Sequence, residues 1–197
     1  MKKRTLGIVI FNDVEVLDFT GPFEVFSVTN EINNNELFDV KLISVDGELI
    51  TAKNGLKIVA DCSIKNIHHL DIVLIPGGQG ARPLVNNQEF ITWVQSVSKK
   101  SELVLSVCTG ALVLAKAGLL EGLKATTHHQ AYDELRELVN DTEITEDGLR
   151  YIDNGKVITS GGISAGIDMS FHVIDRLIGI EISEKTANYM EYRRMVE

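Results

Sequence analysis

The chain has 197 residues, of which 44% are hydrophobic and 24% are charged, and its formal net charge is −9. This length and balance predict one globular domain over residues 1–197 and exclude a predominantly disordered chain. The acidic charge disfavours a nucleic-acid partner, because nucleic-acid-binding surfaces normally need a basic face.

Apolar runs typical of strands alternate with helical patterns along the first half of the chain. The run over residues 5–11 is apolar or small at nearly every position, as expected for a strand buried on both faces. In chain order, the predicted elements are a strand over 5–11, a helix bearing Phe19, Phe23 and Phe26, a strand over 37–46, a hairpin or edge strand over 56–64, a strand over 71–78 and a helix bearing Phe90, Val94 and Val97.

The second half continues the alternation and adds a hairpin. The segment over 148–162 turns at Asp-Asn-Gly, a strong signal for two antiparallel strands. The other predicted elements are a strand over 103–107, a helix over 109–117, a short strand over 124–128, a helical face of Ala131, Leu135 and Leu138, a core helix bearing Ile163, Ile167, Phe171, Ile174 and Ile178, and a polar C-terminal helix. Strands alternating with helices predict an α/β fold with a mainly parallel sheet covered on both faces.

Cysteine content and the length of the apolar runs bear on the compartment. The two cysteines, Cys62 and Cys108, are too few for a disulfide framework, which favours a reducing environment. No apolar stretch approaches the ~18 residues of a membrane span, and polar residues from Asn12 onwards interrupt the N-terminal apolar run. We therefore expect a cytoplasmic protein with no membrane partner.

The sequence SVCTGA (106–111) places Cys108 directly between a predicted strand and a predicted helix. Gly110 permits a tight turn there, which is the logic of a nucleophile elbow, although the G-x-S-x-G pattern is absent. A position at a helix N-terminus favours the thiolate and predicts a lowered pKa for Cys108. The alternative for an intracellular cysteine is a small buried hydrophobe. We expect that alternative for Cys62, which has no turn residues around it.

Four segments resemble the DJ-1/PfpI (ThiJ) superfamily, a class I glutamine amidotransferase-like group. They are DFTGPFEVF (18–26), LIPGG (74–78), SVCTGALVLAKAGLLEGLKATTHH (106–129) and SGGISAGIDM (160–169), and the likeness extends from about residue 5 to residue 180. The Cys-Thr-Gly elbow and the Asp of LDFTGP most resemble the isonitrile hydratase branch. The resemblance implies a flavodoxin-like three-layer α/β/α sandwich, a homodimer, a small-molecule substrate, and a cysteine-centred pocket with no metal and no cofactor.

The resemblance assigns catalytic roles to Cys108, Asp18 and Thr109. An acidic residue at position 18 points at the cysteine sulfur in the superfamily, and two anions in contact would repel, so one of the pair should hold a proton. The alternative is that Asp18 caps the helix bearing Phe23 and Phe26. The Thr109 hydroxyl could position water, or Thr109 could be structural in the first helical turn. Many superfamily members have histidine at position 109 instead, and its absence disfavours a peptidase.

A second set of residues is expected to bind substrate. Ligands of open α/β sheets bind beyond the carboxyl ends of the strands, and the Gly77–Gly78 turn ends one of them. Its backbone N–H groups would form an oxyanion hole, with a plain strand-ending turn as the alternative. His128, placed on a strand beside the elbow, could be a base or a packing histidine. The full set of expected substrate-binding residues is Gly21, Gly77, Gly78, His128, Gly162 and Ile163.

The sequence therefore favours a hydro-lyase that converts an isonitrile into an N-substituted formamide through the Cys108 pocket. Two alternatives stay open. One is a glyoxalase- or deglycase-like enzyme acting on reactive aldehydes, which usually has glutamate at position 18. The other is a non-enzymatic ligand or redox sensor, because similar domains are fused to helix-turn-helix segments in transcription regulators and an activated thiolate is easily oxidised. The acidic charge and the chain end at Glu197 lead us to expect no DNA contact.

Overall fold

A computed structural model describes residues 2–34, 36–45, 47 and 49–194. The strands are β1 (Arg4–Ile10), β2 (Phe38–Ser44), β3 (Leu49–Thr51), β4 (Lys57–Val59), β5 (Cys62–Ser63), β6 (Ile72–Ile75), β7 (Leu103–Val107), β8 (Lys124–Ala125), β9 (Glu143–Ile144), β10 (Tyr151–Asp153) and β11 (Val157–Ser160). The helices are α1 (Val16–Glu31), α2 (Ala81–Val85), α3 (Gln88–Lys100), α4 (Gly110–Lys116), α5 (Tyr132–Arg136), α6 (Ala165–Leu177) and α7 (Ile180–Tyr189).

Seven strands form the central sheet, in the order β10-β11-β7-β6-β1-β2-β5. Every neighbouring pair is parallel except β10 and β11, which form the hairpin predicted at Asp-Asn-Gly. All residues of β6 and β7 are buried, as expected for strands covered on both faces. The predicted α/β class and mainly parallel sheet are confirmed.

Helices cover both faces of the sheet. α1, α6 and α7 contact one another and form one layer, while α2, α3 and α4 contact one another and form the other. Each layer also packs on strands, α1 on β1 and β2, and α4 on β6 and β7. This is a flavodoxin-like three-layer sandwich, as expected. None of the helices within the described ranges is long and apolar enough to cross a membrane.

Most predicted elements are confirmed with shifted ends. The expectation that Ile163 belongs to the core helix is wrong, because α6 begins at Ala165. The predicted strand over 37–46 is observed as β2, ending at Ser44, and Asp46 lies outside the described residues. The predicted strand over 124–128 is only two residues long and pairs with β9 in a separate two-stranded sheet. The expectation that His128 lies on a strand is therefore wrong, because the chain leaves β8 after Ala125.

The order of the strands brings the candidate functional residues to one edge of the sheet. β7, β6 and β1 are adjacent, with Ile75 opposite Ser106 and Leu74 opposite both Leu105 and Ile8. Their carboxyl ends therefore lie side by side, at the edge where parallel sheets bind ligands. The segments that follow these three strands contain Asp18, Gly77–Gly78 and Cys108.

Candidate active site

Cys108 forms a sharp turn between β7 and α4. Its φ is +58°, in the left-handed region that a non-glycine residue rarely adopts. The sequence had suggested that Gly110 makes the tight turn of the elbow. The residue in the left-handed conformation is instead Cys108. Glycine is needed at position 110 for another reason, because a Cβ there would overlap the carbonyl oxygen of Ile75 at the end of β6.

Hydrogen bonds hold the backbone of Cys108 in this conformation. Its N–H donates to the carbonyl oxygens of Ser160 at 3.2 Å and Gly161 at 3.0 Å, both at the end of β11. Its own carbonyl oxygen accepts from the Thr127 hydroxyl at 2.7 Å. The cysteine is 6% exposed. The end of the neighbouring strand and the segment after β8 therefore fix the backbone of Cys108, whose side chain lines a cavity.

Asp18 lies in the first turn of α1 and is completely buried, at 0% exposure. Its Oδ2 accepts from the N–H of Gly77 at 3.0 Å, and its Oδ1 accepts from the N–H of Ile163 at 3.1 Å. The Cys108 thiol lies close enough to the carboxylate to lower its pKa, opposing the effect of burial. The capping alternative is wrong, since the cap of α1 is Glu15, with no side-chain bond, and both Asp18 oxygens face other segments.

Burial dominates the protonation of this pair. It raises the pKa of Asp18 to about 7, against the opposing effect of the hydrogen bonds from Gly77 and Cys108. Burial, and then the negative charge of Asp18, raise the pKa of the Cys108 thiol to about 12. The expected lowering of the thiol pKa is therefore wrong, because a helix of seven residues does not outweigh desolvation and a contacting carboxylate. Near neutral pH the Cys108 thiol therefore keeps its proton, while the Asp18 carboxyl is partly protonated.

Thr109 ties the elbow to the Gly77–Gly78 turn. Its hydroxyl oxygen accepts from the N–H of Gly78 at 2.9 Å, and its hydroxyl proton has the Gly78 carbonyl within reach at 3.2 Å. The N–H and hydroxyl of Thr109 also interact with the Cys108 sulfur and oppose the rise in its pKa. Since the N–H groups of Gly77 and Gly78 are occupied by Asp18 and Thr109, the expected oxyanion hole is not available at this turn.

His128 lies after β8 and is half-buried at the cavity wall. Its Nδ1 accepts from the N–H of Gln130 at 3.2 Å, so the neutral ring carries its proton on Nε2. Burial, together with the neighbouring His129, lowers the pKa of His128 and favours this neutral form. Gly162 lies against the ring, and a Cβ at position 162 would overlap the Cδ2 of His128.

Ile163 is the second strained residue of the site. Its φ is +56°, and β-branched side chains avoid this conformation. Its side chain is 39% exposed, so burial of apolar surface does not account for the strain. The conformation instead directs the Ile163 N–H at Asp18.

A cavity of about 140 Å³ opens at Cys108. Its lining consists of Glu15, Lys53, Gly78, Gln79, Arg82, Cys108, Thr109, His128, Gln130, Ala131 and Ile163. Five of the nine residues predicted from sequence are in this lining: Cys108, Thr109, Gly78, His128 and Ile163.

The other four predicted residues do not line the cavity. Asp18 and Gly77 lie behind Cys108 and Thr109 and act through hydrogen bonds. Gly162 lines an adjacent depression that shares His128 and Ile163 with the cavity. Gly21 packs against Ile167 where α1 meets α6, so its expected role in substrate binding is not supported by its position.

Charged residues at the mouth of the cavity were not predicted. Lys53 lies after β3, and its Nζ contacts the Glu15 Oε2 at 2.7 Å. Arg82, on α2, makes two bonds to Glu134, at 2.9 Å and 2.6 Å. No motif in the sequence marks these residues; the signal that existed was the position of Glu15 between β1 and α1, at the functional edge. Within the described ranges, no cluster of three or more His, Cys, Asp or Glu side chains could hold a metal ion.

The sequence pattern of the DJ-1/PfpI family matches residues 4–176. The chain belongs to the DJ-1/PfpI family. Isonitrile hydratase from Pseudomonas putida is 32% identical to this DJ-1/PfpI protein, over 95% of the chain and 78% of the relative. The HTH-type transcriptional regulator GbdR from Pseudomonas aeruginosa is 28% identical over 98% of the chain, which spans 52% of that regulator.

Solved structures of the DJ-1/PfpI family share the fold. A ThiJ/PfpI family protein from Pseudomonas syringae superposes with a TM-score of 0.88 at 24% identity, over 100% of this chain and 78% of that one. DJ-1beta from Drosophila melanogaster superposes with a TM-score of 0.85 at 20% identity, over 98% and 100% of the two chains. At these identities the likeness establishes a common fold.

Proposed function

We propose that this protein is an isonitrile hydratase-like hydro-lyase that converts an isonitrile, R–N≡C, and water into a formamide, R–NH–CHO. The observation that carries the proposal is the Cys108–Asp18 pair, in which a cavity-lining thiol lies beside a carboxylate that is completely buried and each group shifts the pKa of the other. The identity of 32% with an isonitrile hydratase over 95% of the chain supports it.

The pair supplies both groups that the first step needs. The thiol–carboxylate pair and the thiolate–carboxylic acid pair differ only in which atom holds the shared proton. As the Cys108 sulfur bonds to the terminal carbon of the isonitrile, Asp18 takes the thiol proton and delivers it to that carbon. The product is a thioimidate, R–N=CH–S–Cys108, and Asp18 is again a carboxylate.

Water completes the reaction. It adds to the thioimidate carbon while Asp18 takes one of its protons and passes that proton to the imine nitrogen, giving R–NH–CH(OH)–S–Cys108. Asp18 then takes the hydroxyl proton as the carbon–sulfur bond breaks and the formamide leaves, and the Cys108 thiolate regains that proton from Asp18. A group with a pKa of about 7 suits this exchange, because general acid–base catalysis is most effective when the pKa lies near the working pH.

His128 contributes a hydrogen-bond donor in this scheme. Its Nδ1 is occupied by the Gln130 N–H, which leaves the Nε2–H of a cavity-lining ring to bind the polarised nitrogen of the substrate. The Nε2–H of His128 thus serves as the hydrogen-bond donor to the substrate, a role first expected of the Gly77 and Gly78 N–H groups. Those two groups are engaged by Asp18 and Thr109.

The test is to incubate the protein with a panel of isonitriles and to measure the formation of the formamides by NMR. Cys108→Ala should lose turnover by roughly 10²-fold or more, because it removes the nucleophile. The matched control is Cys62→Ala, which changes the other free cysteine and should leave turnover unchanged. Undiminished turnover in Cys108→Ala would remove the thiol from the mechanism. Turnover of methylglyoxal but not of isonitriles would favour the aldehyde-acting alternative.

A second candidate is a ligand-sensing domain without turnover. It is favoured by the match of 98% of this chain to part of a transcriptional regulator, and by the unreactive state that a thiol pKa of about 12 indicates. Ligand binding with no formamide produced by wild type would support this candidate against the enzyme.

We also propose that the protein acts as a homodimer in the cytoplasm. Its membership of the DJ-1/PfpI family and its two free cysteines support this proposal. Light scattering on purified protein tests the dimer, and a monomeric mass at micromolar concentration would count against it.

A further inference from the structure

Two cations lie at the mouth of the cavity of a strongly acidic chain. The net charge is −9, yet Lys53 and Arg82 both line the cavity, against one lining carboxylate, Glu15. Both cations also act on His128, where their charges lower its pKa and the charge of Glu15 raises it. Each cation is paired with a carboxylate, Lys53 with Glu15 and Arg82 with Glu134, so the cavity mouth attracts an anion through the N–H donors of these cations and not through a net positive charge.

Both cations have donors to spare. Arginine has five N–H donors, and Arg82 uses two on Glu134 and one on the Gln79 side chain among the described residues. Lysine has three, and Lys53 uses one on Glu15. Counted against the residues that the structure describes, two arginine and two lysine donors therefore remain at the mouth for an anion.

The carboxylates that already contact these cations do not prevent such binding. The side chains of Arg82 and Glu134 are 37% and 41% exposed, and an ion pair exposed to this extent is weak because solvent screens it. The side chain of Lys53 is 47% exposed, whereas that of its partner Glu15 is 17% exposed. A substrate anion therefore shares Arg82 with Glu134 more readily than it shares Lys53 with Glu15.

The lining offers little to an apolar substituent. Apart from Cys108, the only apolar side chains that the described residues contribute to the lining are those of Ala131 and Ile163. The other lining residues are charged, polar or glycine. Binding of a large hydrocarbon group would require more apolar contact surface than this.

We propose that the substrate is an isonitrile whose substituent carries a carboxylate, bound by Arg82 and Lys53 while the isocyano carbon faces Cys108. This inference rests on the proposed function. The planar guanidinium suits a carboxylate, and Lys53 adds a point charge.

The experiment compares an anionic isonitrile with a neutral one of similar size. Isocyanoacetate and its methyl ester are assayed with wild type, Arg82→Gln, Lys53→Gln and the control Arg136→Gln, which changes an exposed arginine of α5 outside the cavity lining. Wild type should show a kcat/KM at least about tenfold higher for the acid, as expected for a charge-assisted hydrogen bond. Arg82→Gln and Lys53→Gln should reduce that ratio through KM, and Arg136→Gln should keep it.

A binding measurement separates failure of the inference from failure of the proposed function. N-formylglycine, the expected product, and its neutral amide are titrated calorimetrically into wild type and Arg82→Gln. Hydration of both isonitriles at equal rates would overturn the carboxylate preference and leave the hydratase standing. Tight binding of N-formylglycine that depends on Arg82, with no isonitrile hydrated, would support the carboxylate site and overturn the hydratase.

Discussion

The backbone N–H of Ile163 donates to the Asp18 carboxylate at 3.1 Å, across a sequence separation of 145 residues. Ile163 holds a φ of +56° in order to do so. Strain of this kind typically costs ~1–3 kcal/mol and persists where the surroundings enforce it. The Ile163 N–H on one oxygen and the Gly77 N–H on the other together fix the Asp18 carboxylate beside the Cys108 sulfur.

We predict that Asp18 makes the protein less stable as the pH rises from about 4 to about 7. Its pKa is raised from 3.8 to about 7, so the folded state holds the proton more tightly than the unfolded state within this window. The unfolding free energy therefore falls with pH, by up to roughly 4 kcal/mol if each pKa unit corresponds to ~1.4 kcal/mol. Asp18→Asn removes this titration.

The measurement is the urea midpoint of wild type and Asp18→Asn at several pH values between 4 and 7. The difference between the two proteins isolates Asp18 from groups such as Asp71, whose pKa is lowered and whose contribution has the opposite sign. Glu36→Gln, which changes an exposed carboxylate, serves as the control. A difference that stays constant over this range would show that Asp18 is not a buried titrating group.

We predict that removing the charge of Asp18 makes Cys108 more reactive toward alkylation. With a thiol pKa of about 12, only roughly one molecule in 10⁵ carries a thiolate at pH 7, so wild type should react slowly with iodoacetamide. Asp18→Asn removes the repelling charge and lowers that pKa, which raises the labelling rate by about tenfold for each pKa unit. The rates are followed by intact mass in a Cys62→Ala background, which leaves Cys108 as the single thiol. Slower labelling in the variant would mean that protonated Asp18 stabilises a resting thiolate.

The sequence predicted the parts of this site that depend on strand order, and missed those that depend on hydrogen bonding between distant segments. The apolar runs of β1, β6 and β7 predicted a parallel sheet, and the rule for ligand binding in such sheets placed Cys108 at the same edge as the Gly77–Gly78 turn. The contact between Asp18 and Cys108 was expected from the family resemblance. No local pattern indicates that the Gly77 N–H is taken by Asp18 or that Ile163 is left-handed. Both follow from the packing of segments far apart in the chain.

The charged mouth of the cavity escaped prediction for a related reason. Lys53 lies in a turn after a three-residue strand, and Arg82 lies in a five-residue helix that the hydrophobic pattern did not reveal. Elements this short carry little periodicity. Only the folded arrangement brings these two cations to the entrance of the cavity.

We predict that His128 acts as a hydrogen-bond donor and not as a base. His128→Gln keeps an N–H group near the position of Nε2 but cannot accept a proton, so it should retain turnover within about tenfold of wild type. His128→Ala removes the donor and should lose roughly 10²-fold in kcat, the usual cost of losing one such group. Steady-state rates with one isonitrile test this prediction. Equal losses in the two variants would indicate that the imidazole moves a proton.

We predict that the hydroxyl of Thr109 stabilises the fold as well as the site. The buried N–H of Gly78 donates to this hydroxyl at 2.9 Å, and Thr109→Val leaves that donor without its acceptor while keeping the side-chain shape. An unsatisfied buried donor typically costs ~1–3 kcal/mol in unfolding free energy. Thr109→Ser retains the acceptor and should lose much less, mainly the contacts of one methyl group. Urea unfolding of the three proteins measures both effects. If Thr109→Val were as stable as wild type but inactive, the hydroxyl would serve the reaction alone, and the Gly78 N–H would have to find another acceptor.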